Sequence, residues 1–214
     1  MLGAGKGKIQ TVIKMIELIP ESMIGMGQHR ECYVHPEDSN RCIKVVVVRG
    51  EEETRREQAY YRLLQKRQIS WEMLPRFYGV EETTMGPGAV FDLVRDVDGQ
   101  VGKTCAHYFE STELTEQNYQ GLLLALQALK QYLLEKNIIT MTIFPKNIIY
   151  QKISENSGVA VIIDNIGNSD AIPIASYCRP FGNAKMERKW ARFVRLLQKD
   201  FSNNAALQRL TTLI

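Results

Sequence analysis

A small set of side chains in this sequence has the types and spacing to handle a phosphate group and a metal ion. Gly25 and Gly27 flank Met26 between two stretches of strand character. Paired glycines in such a turn let backbone N–H groups approach a phosphate closely, although a tight hairpin without any ligand has the same appearance. Lys44 interrupts an apolar strand, Cys42 to Val48. Alternation puts it on one face with Cys42 and Val46, so its ammonium either snorkels outward or meets an anion, because a buried ammonium needs a partner. Glu57 lies three, four and seven residues before Tyr60, Tyr61 and Leu64, on the apolar stripe of a helix. There it is either the acid that Lys44 turns to or a solvated group at the helix rim. Asn147 opens one strand and Asp164 closes the next. Two oxygen ligands at the same end of adjacent strands suit Mg²⁺, which takes few protein ligands beside phosphate oxygens; Asp164 could equally cap a turn.

These side chains need elements to position them. Ile16 to Ile24 reads as an edge strand interrupted by Pro20. Glu31 to His35 and Arg41 to Val48 read as strands around the turn Pro36 to Asn40, and Gly50 ends the pattern. Glu51 to Arg67 predicts a helix, with acids in its first turn and bases in its last. Phe77 to Glu82 and Ala89 to Val94 predict strands around the loop Met85 to Gly88. The polar turn Asp96 to Gly99 separates a strand-rich first half from a helical second half. Thr115 to Lys136 predicts one long helix with Tyr119, Leu122, Leu123, Leu126, Leu129 and Leu133 as its stripe. Asn147 to Ile153 and Val159 to Asp164 form a hairpin around Ser154 to Gly158. The last helix is expected over Ala184 to Lys199.

Composition excludes several classes. The chain has 214 residues, 44% apolar and 24% charged, which is ordinary for a folded protein and argues against wholesale disorder. No apolar run approaches the roughly 20 residues of a membrane-spanning helix. A net charge of +3 gives no argument for nucleic acid. Cys32, Cys42, Cys105 and Cys178 contain no C-x-x-C pair, and His29, His35 and His107 lack metal spacing, so a zinc site is not expected. Scattered cysteines and the lack of a signal peptide point to a reduced, cytoplasmic setting. Residues 1–14, including Gly3 to Lys8, read as a loose basic extension; a P-loop spacing is absent, and Met15 is a candidate natural start.

The order Gly25/Gly27, Lys44, Glu57, Asn147, Asp164 is the order found in protein kinases. The segments Gly25 to Tyr33, Arg41 to Lys44, Met141 to Ile149 and Asp164 to Gly167 closely resemble the bacterial YrbL family, which is linked to the PhoP regulatory network and is kinase-like. The resemblance runs from Met15 to Leu197. It implies that Gly25 and Gly27 belong to a phosphate-covering loop and that Lys44 pairs the α/β-phosphates, with Glu57 as its helix partner. It also implies that Asn147 and Asp164 hold Mg²⁺, and that Asp92 to Arg95, with Asp92 and Val94 as contacts, meets adenine. Arg30 stands at the third glycine position, where it could contact phosphate.

The departures are informative. Kinases read His-Arg-Asp-Leu-Lys-Pro-x-Asn in the catalytic loop; here the positions are Thr140 to Asn147. Thr142 takes the place of the aspartate, and a threonine hydroxyl cannot accept a proton at neutral pH. Phe144 takes the place of the lysine. Asp-Phe-Gly is stretched to Asp164-Asn165-Ile166-Gly167, and only 47 residues follow.

The expectation is therefore an α+β protein with a minimal kinase-like, two-lobe fold: an extension over 1–14, a β-rich nucleotide-binding lobe over 15–95 and a reduced helical lobe over 96–214. ATP and Mg²⁺ are the expected ligands. A degenerate loop favours a pseudokinase or regulatory module in bacterial stress or envelope signalling over an active phosphotransferase or nucleotidyltransferase. The basic face of the last helix, Lys185, Arg188, Lys189, Arg192, Arg195 and Lys199, is either solvated surface or a docking face for an acidic protein partner.

Overall fold

The computed structural model describes residues 15–48, 51–170 and 172–214. The expected extension over 1–14 and the break at Gly50 lie outside the described residues. The fold is mixed α+β, built from two antiparallel sheets and seven helices among the described residues.

The chain enters alongside a later strand: the Ile16 N–H donates to the Glu82 carbonyl at 2.8 Å, and the Thr84 N–H to the Ile16 carbonyl at 2.9 Å. Pro20 cannot continue such a ladder, and a 3-10 turn over Pro20–Ser22 follows. The expected strand is thus split: Ile16 makes a single parallel bridge to Thr83, and a separate strand, β1 (Met23–Met26), follows the turn. Strands β2 (Arg30–His35) and β3 (Asp38–Val46) form the next hairpin. After α1 (Glu51–Lys66) come β4 (Phe77–Thr83) and β5 (Gly86–Asp92), giving the order β1-β2-β3-β5-β4.

The alternation read from β3 holds. Ile43 and Val45 pack on one face with Ile16, Leu18, Tyr33 and Val90. Cys42 packs on the other, in the main core with Tyr60, Tyr61, Leu64 and Phe91. That second face also carries Lys44. Its neighbours are large: the Tyr61 ring lies 5.1 Å from Phe91 and 6.0 Å from Phe77. Gly88 faces the first cluster, and a Cβ there would stand 2.3 Å from Ile43 Cγ2, so glycine lets β5 approach β3.

The second half begins with β6 (Lys103–Thr104) and α2 (Cys105–Phe109). The long helix expected over Thr115 to Lys136 is two helices, α3 (Thr112–Gln117) and α4 (Tyr119–Glu135). Asn118 causes the break: its side-chain amide donates to the Leu114 carbonyl at 2.8 Å, competing with helical continuation. The α4 stripe is otherwise as expected, with Leu122, Leu123, Leu126, Leu129 and Leu133 buried. Strands β7 (Ile148–Lys152) and β8 (Gly158–Ile162) form the expected hairpin, and β6 pairs with β7. Helices α5 (Ile174–Tyr177), α6 (Arg179–Asp200) and α7 (Ala205–Thr211) complete the chain. Helix α6 starts five residues earlier than expected, with Pro180 in its first turn, where a missing N–H costs nothing. No helix among the described residues is long and apolar enough to cross a membrane.

Candidate functional site

The β1–β2 turn is closed by the Gly27 N–H donating to the Arg30 carbonyl at 2.7 Å, and tied to the end of β3 by the Val47 N–H on the His29 carbonyl at 3.0 Å. Neither Gly25 nor Gly27 has a positive φ. A Cβ at Gly25 would meet nothing within 4 Å, and one at Gly27 only the Arg30 carbonyl at 3.4 Å. The chain's own geometry therefore does not require glycine at either position; it leaves an open backbone edge facing the cleft.

Arg30 leaves this turn and reaches two acids. One guanidinium nitrogen donates to Glu57 Oε2 and another to Asp164 Oδ1. Glu57 is only 2% exposed and comes from α1, where Tyr60, Tyr61 and Leu64 hold the same face in the core. Burial by itself would lower the Arg30 pKa, but the two carboxylates hold it above the ordinary arginine value. Burial likewise pushes the Asp164 carboxyl up, and Lys44 and Arg30 outweigh it, so the group sits below the usual carboxylate range. The other oxygen of Glu57, Oε1, is buried without a partner, as is the Tyr61 hydroxyl one turn further along α1.

Lys44 departs from expectation. It is buried at 9% exposure, but its ammonium donates to the Ile163 carbonyl and lies 5.0 Å from the Phe91 ring centroid. The expected Lys44–Glu57 pair is not formed. A planar guanidinium can bridge two carboxylates with separate N–H groups, whereas an ammonium acts as a point charge, and Arg30 takes Glu57 in its place.

Asn147 ends a 3-10 turn over Pro145–Asn147, directly before β7, and Asp164 follows β8 by two residues. The Ile163 N–H donates to the Asn147 carbonyl at 2.9 Å, which brings the two predicted metal-binding residues side by side. The loop of Thr140 to Asn147 is bound to the stretch after β8: Thr140 bridges Ile166, and the Met141 N–H donates to the Asn165 carbonyl at 2.7 Å. Asn165, at φ 61°, turns the chain and donates from its side chain to Thr142 Oγ1 at 2.8 Å. Lys189, from α6, donates to the Met141 carbonyl, and burial lowers its pKa. Sequence reasoning passed over Asn165 and Lys189. The first had a legible signal, since asparagine is among the few non-glycine residues that tolerate positive φ; the second was one of seven bases on α6, with nothing to single it out.

Gly25, Gly27, Arg30, Lys44, Glu57, Asp92, Val94, Asn147 and Asp164 all line one cleft of about 590 Å³. Thr142 does not line it; its side chain is exposed and held by Asn165. At the inner edge, the Asp92 and Leu93 N–H groups donate to Arg76 and Asn40 carbonyls, and Val94 accepts from the Gly102 N–H. The Asp92 carboxylate is taken by the Arg76 N–H and the Tyr78 hydroxyl, both at 2.8 Å. The donor set fits a hard cation: Asn147, Asp164 and Glu57, all oxygen-bearing, line the same cleft, and Glu57 Oε1 is unsatisfied.

Residues 16–198 match the family described as PhoP regulatory network protein YrbL. The chain is 41% identical over 183 residues to the uncharacterized protein YrbL of Escherichia coli (strain K12), covering 84% of this chain and 87% of that protein. The YrbL protein of Shigella flexneri matches to the same extent. The chain belongs to the YrbL family.

Proposed function

We propose that this YrbL-family chain binds ATP with Mg²⁺ in the cleft, in a minimal kinase-like two-lobe arrangement, and acts as a nucleotide-responsive regulatory module rather than as an active kinase. The carrying observation is that glycine turn, strand lysine, helix acid and the Asn147–Asp164 pair, far apart in sequence, line one cleft. The open space at Gly25 and Gly27 leaves room for a phosphate to approach the turn, although the Gly27 N–H is itself taken by the Arg30 carbonyl. Lys44 neutralises phosphate charge. Asn147 and Asp164 would hold the metal, which supplies charge neutralisation at the phosphates. An adenine at the inner edge is left with the Leu93 carbonyl and the Val94 N–H, since the neighbouring backbone groups are committed. The lobes correspond to residues 15–95 and 96–214.

The regulatory reading rests on Thr142. It stands where a kinase has its base, lies outside the cleft lining, and accepts a hydrogen bond from Asn165. The family description supports a place in the PhoP regulatory network, and the exposed bases of α6 are the surface this module offers to an acidic protein partner. One observation favours the alternative of an active transferase: Lys189 brings a cation to the same loop, partly replacing the charge lost at Phe144. Phosphoryl transfer depends chiefly on positioning and electrostatics. ATP turnover measured on the wild-type chain and on Lys189→Met decides between them. No turnover in either supports the regulatory module; turnover lost in Lys189→Met supports the transferase.

A further inference from the structure

We propose that Glu57 and Asp164 form an exchangeable cation site, filled by the Arg30 guanidinium in the resting chain and taken over by an oxygen-seeking divalent cation, Mg²⁺ or Mn²⁺. This makes Glu57 a metal ligand and Arg30 the group the metal expels. The inference deepens the nucleotide reading, and rests on it in taking the cleft as a metal–phosphate site.

Three observations carry it. First, both acids touch the same guanidinium, so their carboxylates lie within one cation's reach of each other. Second, Glu57 is 2% exposed and its Oε1 has no partner. A buried, unsatisfied carboxylate oxygen is costly, and one guanidinium edge does not satisfy it. A hard cation with six or more oxygen positions takes ligands that a guanidinium leaves unused. Third, Arg30 opens β2 at the edge of the glycine turn, with its backbone held by pairing to Val46 of β3 and by the Gly27 N–H on its carbonyl, while the Val47 and Val48 N–H groups hold the neighbouring His29 carbonyl. The exchange therefore needs only its side chain to swing away, and that leaves the core that holds Glu57 undisturbed.

The charges explain why metal and phosphate would bind together. At rest, two carboxylates face two cations, Arg30 and Lys44. A divalent ion replacing Arg30 leaves the site with one excess positive charge and frees a guanidinium on the turn above it. Both favour an anion. Metal alone therefore binds weakly to the wild-type chain, and phosphate completes the exchange.

The test is Mn²⁺ binding without nucleotide, followed by loss of the electron paramagnetic resonance signal of free Mn²⁺, on the full chain. Arg30→Met should bind about tenfold more tightly than wild type, because no internal cation competes for the acids. Adding Glu57→Gln should abolish that gain. Equal affinity in wild type and Arg30→Met, or a gain that persists without the Glu57 carboxylate, overturns the proposal. Should Arg30→Met not fold, amide exchange on the wild-type chain decides: saturating Mn²⁺ should speed exchange over residues 27–31, since the turn loses its tie to α1. Unchanged or slower exchange with Mn²⁺ bound overturns it. If the Mn²⁺ gain is seen while no variant binds ATP, the cation site stands and the nucleotide reading fails. If ATP binds and the gain is missing, the reverse holds.

Discussion

Arg30 is the side chain whose removal should reveal most about the site. With Glu57 almost fully buried, truncating its partner leaves an uncompensated charge, and such losses run to about 3 kcal/mol. Arg30→Met is expected to lower the stability measured by urea unfolding by roughly that amount, while Arg30→Met with Glu57→Leu recovers most of it. Additive losses in the double variant would mean that the two side chains act independently. Asp164 gives a pH signature. Its folded pKa lies below the unfolded value, because Lys44 and Arg30 outweigh its burial. Its contribution is thus fully present above the unfolded carboxylate value of about 3.9 and is lost as pH falls through the lower folded value. The stability gap between wild type and Asp164→Asn should be constant near neutrality and shrink below pH ~4; a gap unchanged down to acid unfolding would contradict it. At this scale the sequence was partly legible. Strand alternation and helix stripe assigned faces to Lys44 and Glu57 correctly, but a face is not a distance. That Arg30 reaches Glu57, and Lys44 does not, depends on the shape of the β1–β2 turn and on the longer fork of the guanidinium.

Among the elements, α1 and the β7–β8 hairpin were legible because each has a clean period and turn-rich flanks. The errors came from short-range side-chain bonds that periodicity does not register. Asn118 closes α3 through its own amide, and Asn204 caps α7 by accepting from the Leu207 N–H at 2.9 Å while donating to Phe109 and Thr115. The joint between α5 and α6 shows how tightly such elements are seated. A Cβ at Gly182 would stand 1.8 Å from Asn137 Oδ1 and 2.7 Å from the Ala175 carbonyl. Asn137 is itself fixed, at φ 47° and with its amide on Ala175 at 3.1 Å. Gly182→Ala should therefore cost about 2 kcal/mol in urea unfolding, near the middle of the range for overpacked sites. A neutral effect would show that α5 can shift away from α6.

At the scale of the whole molecule, the first sheet with α1 supplies the glycine turn, Lys44 and Glu57, and the second half supplies Asn147 and Asp164. The exposed surface of α6 is different in kind. Arg188, Arg192, Arg195 and Lys199 are exposed on α6, on the side away from Met186, Trp190, Phe193 and Leu197, and have no acidic partner among the described residues. If this face docks an acidic protein partner, Arg192→Glu with Arg195→Glu should abolish a salt-sensitive association measured at low ionic strength and leave ligand binding in the cleft unchanged. Association that survives the reversal places the partner elsewhere.

Joint binding of ATP and Mg²⁺ in the cleft, as proposed, is checked by calorimetric titration of ATP in the presence and absence of Mg²⁺. Wild type should bind ATP with Mg²⁺ and lose most of that affinity without it. Lys44→Met should weaken binding under both conditions, because a positive charge lining the cleft is gone while the strand's apolar packing is kept. Asp164→Asn should bind no better with Mg²⁺ than without. Failure of the wild-type chain to bind ATP, or Mg²⁺-dependent binding that persists in both variants, would mean that the cleft is not a nucleotide–metal site.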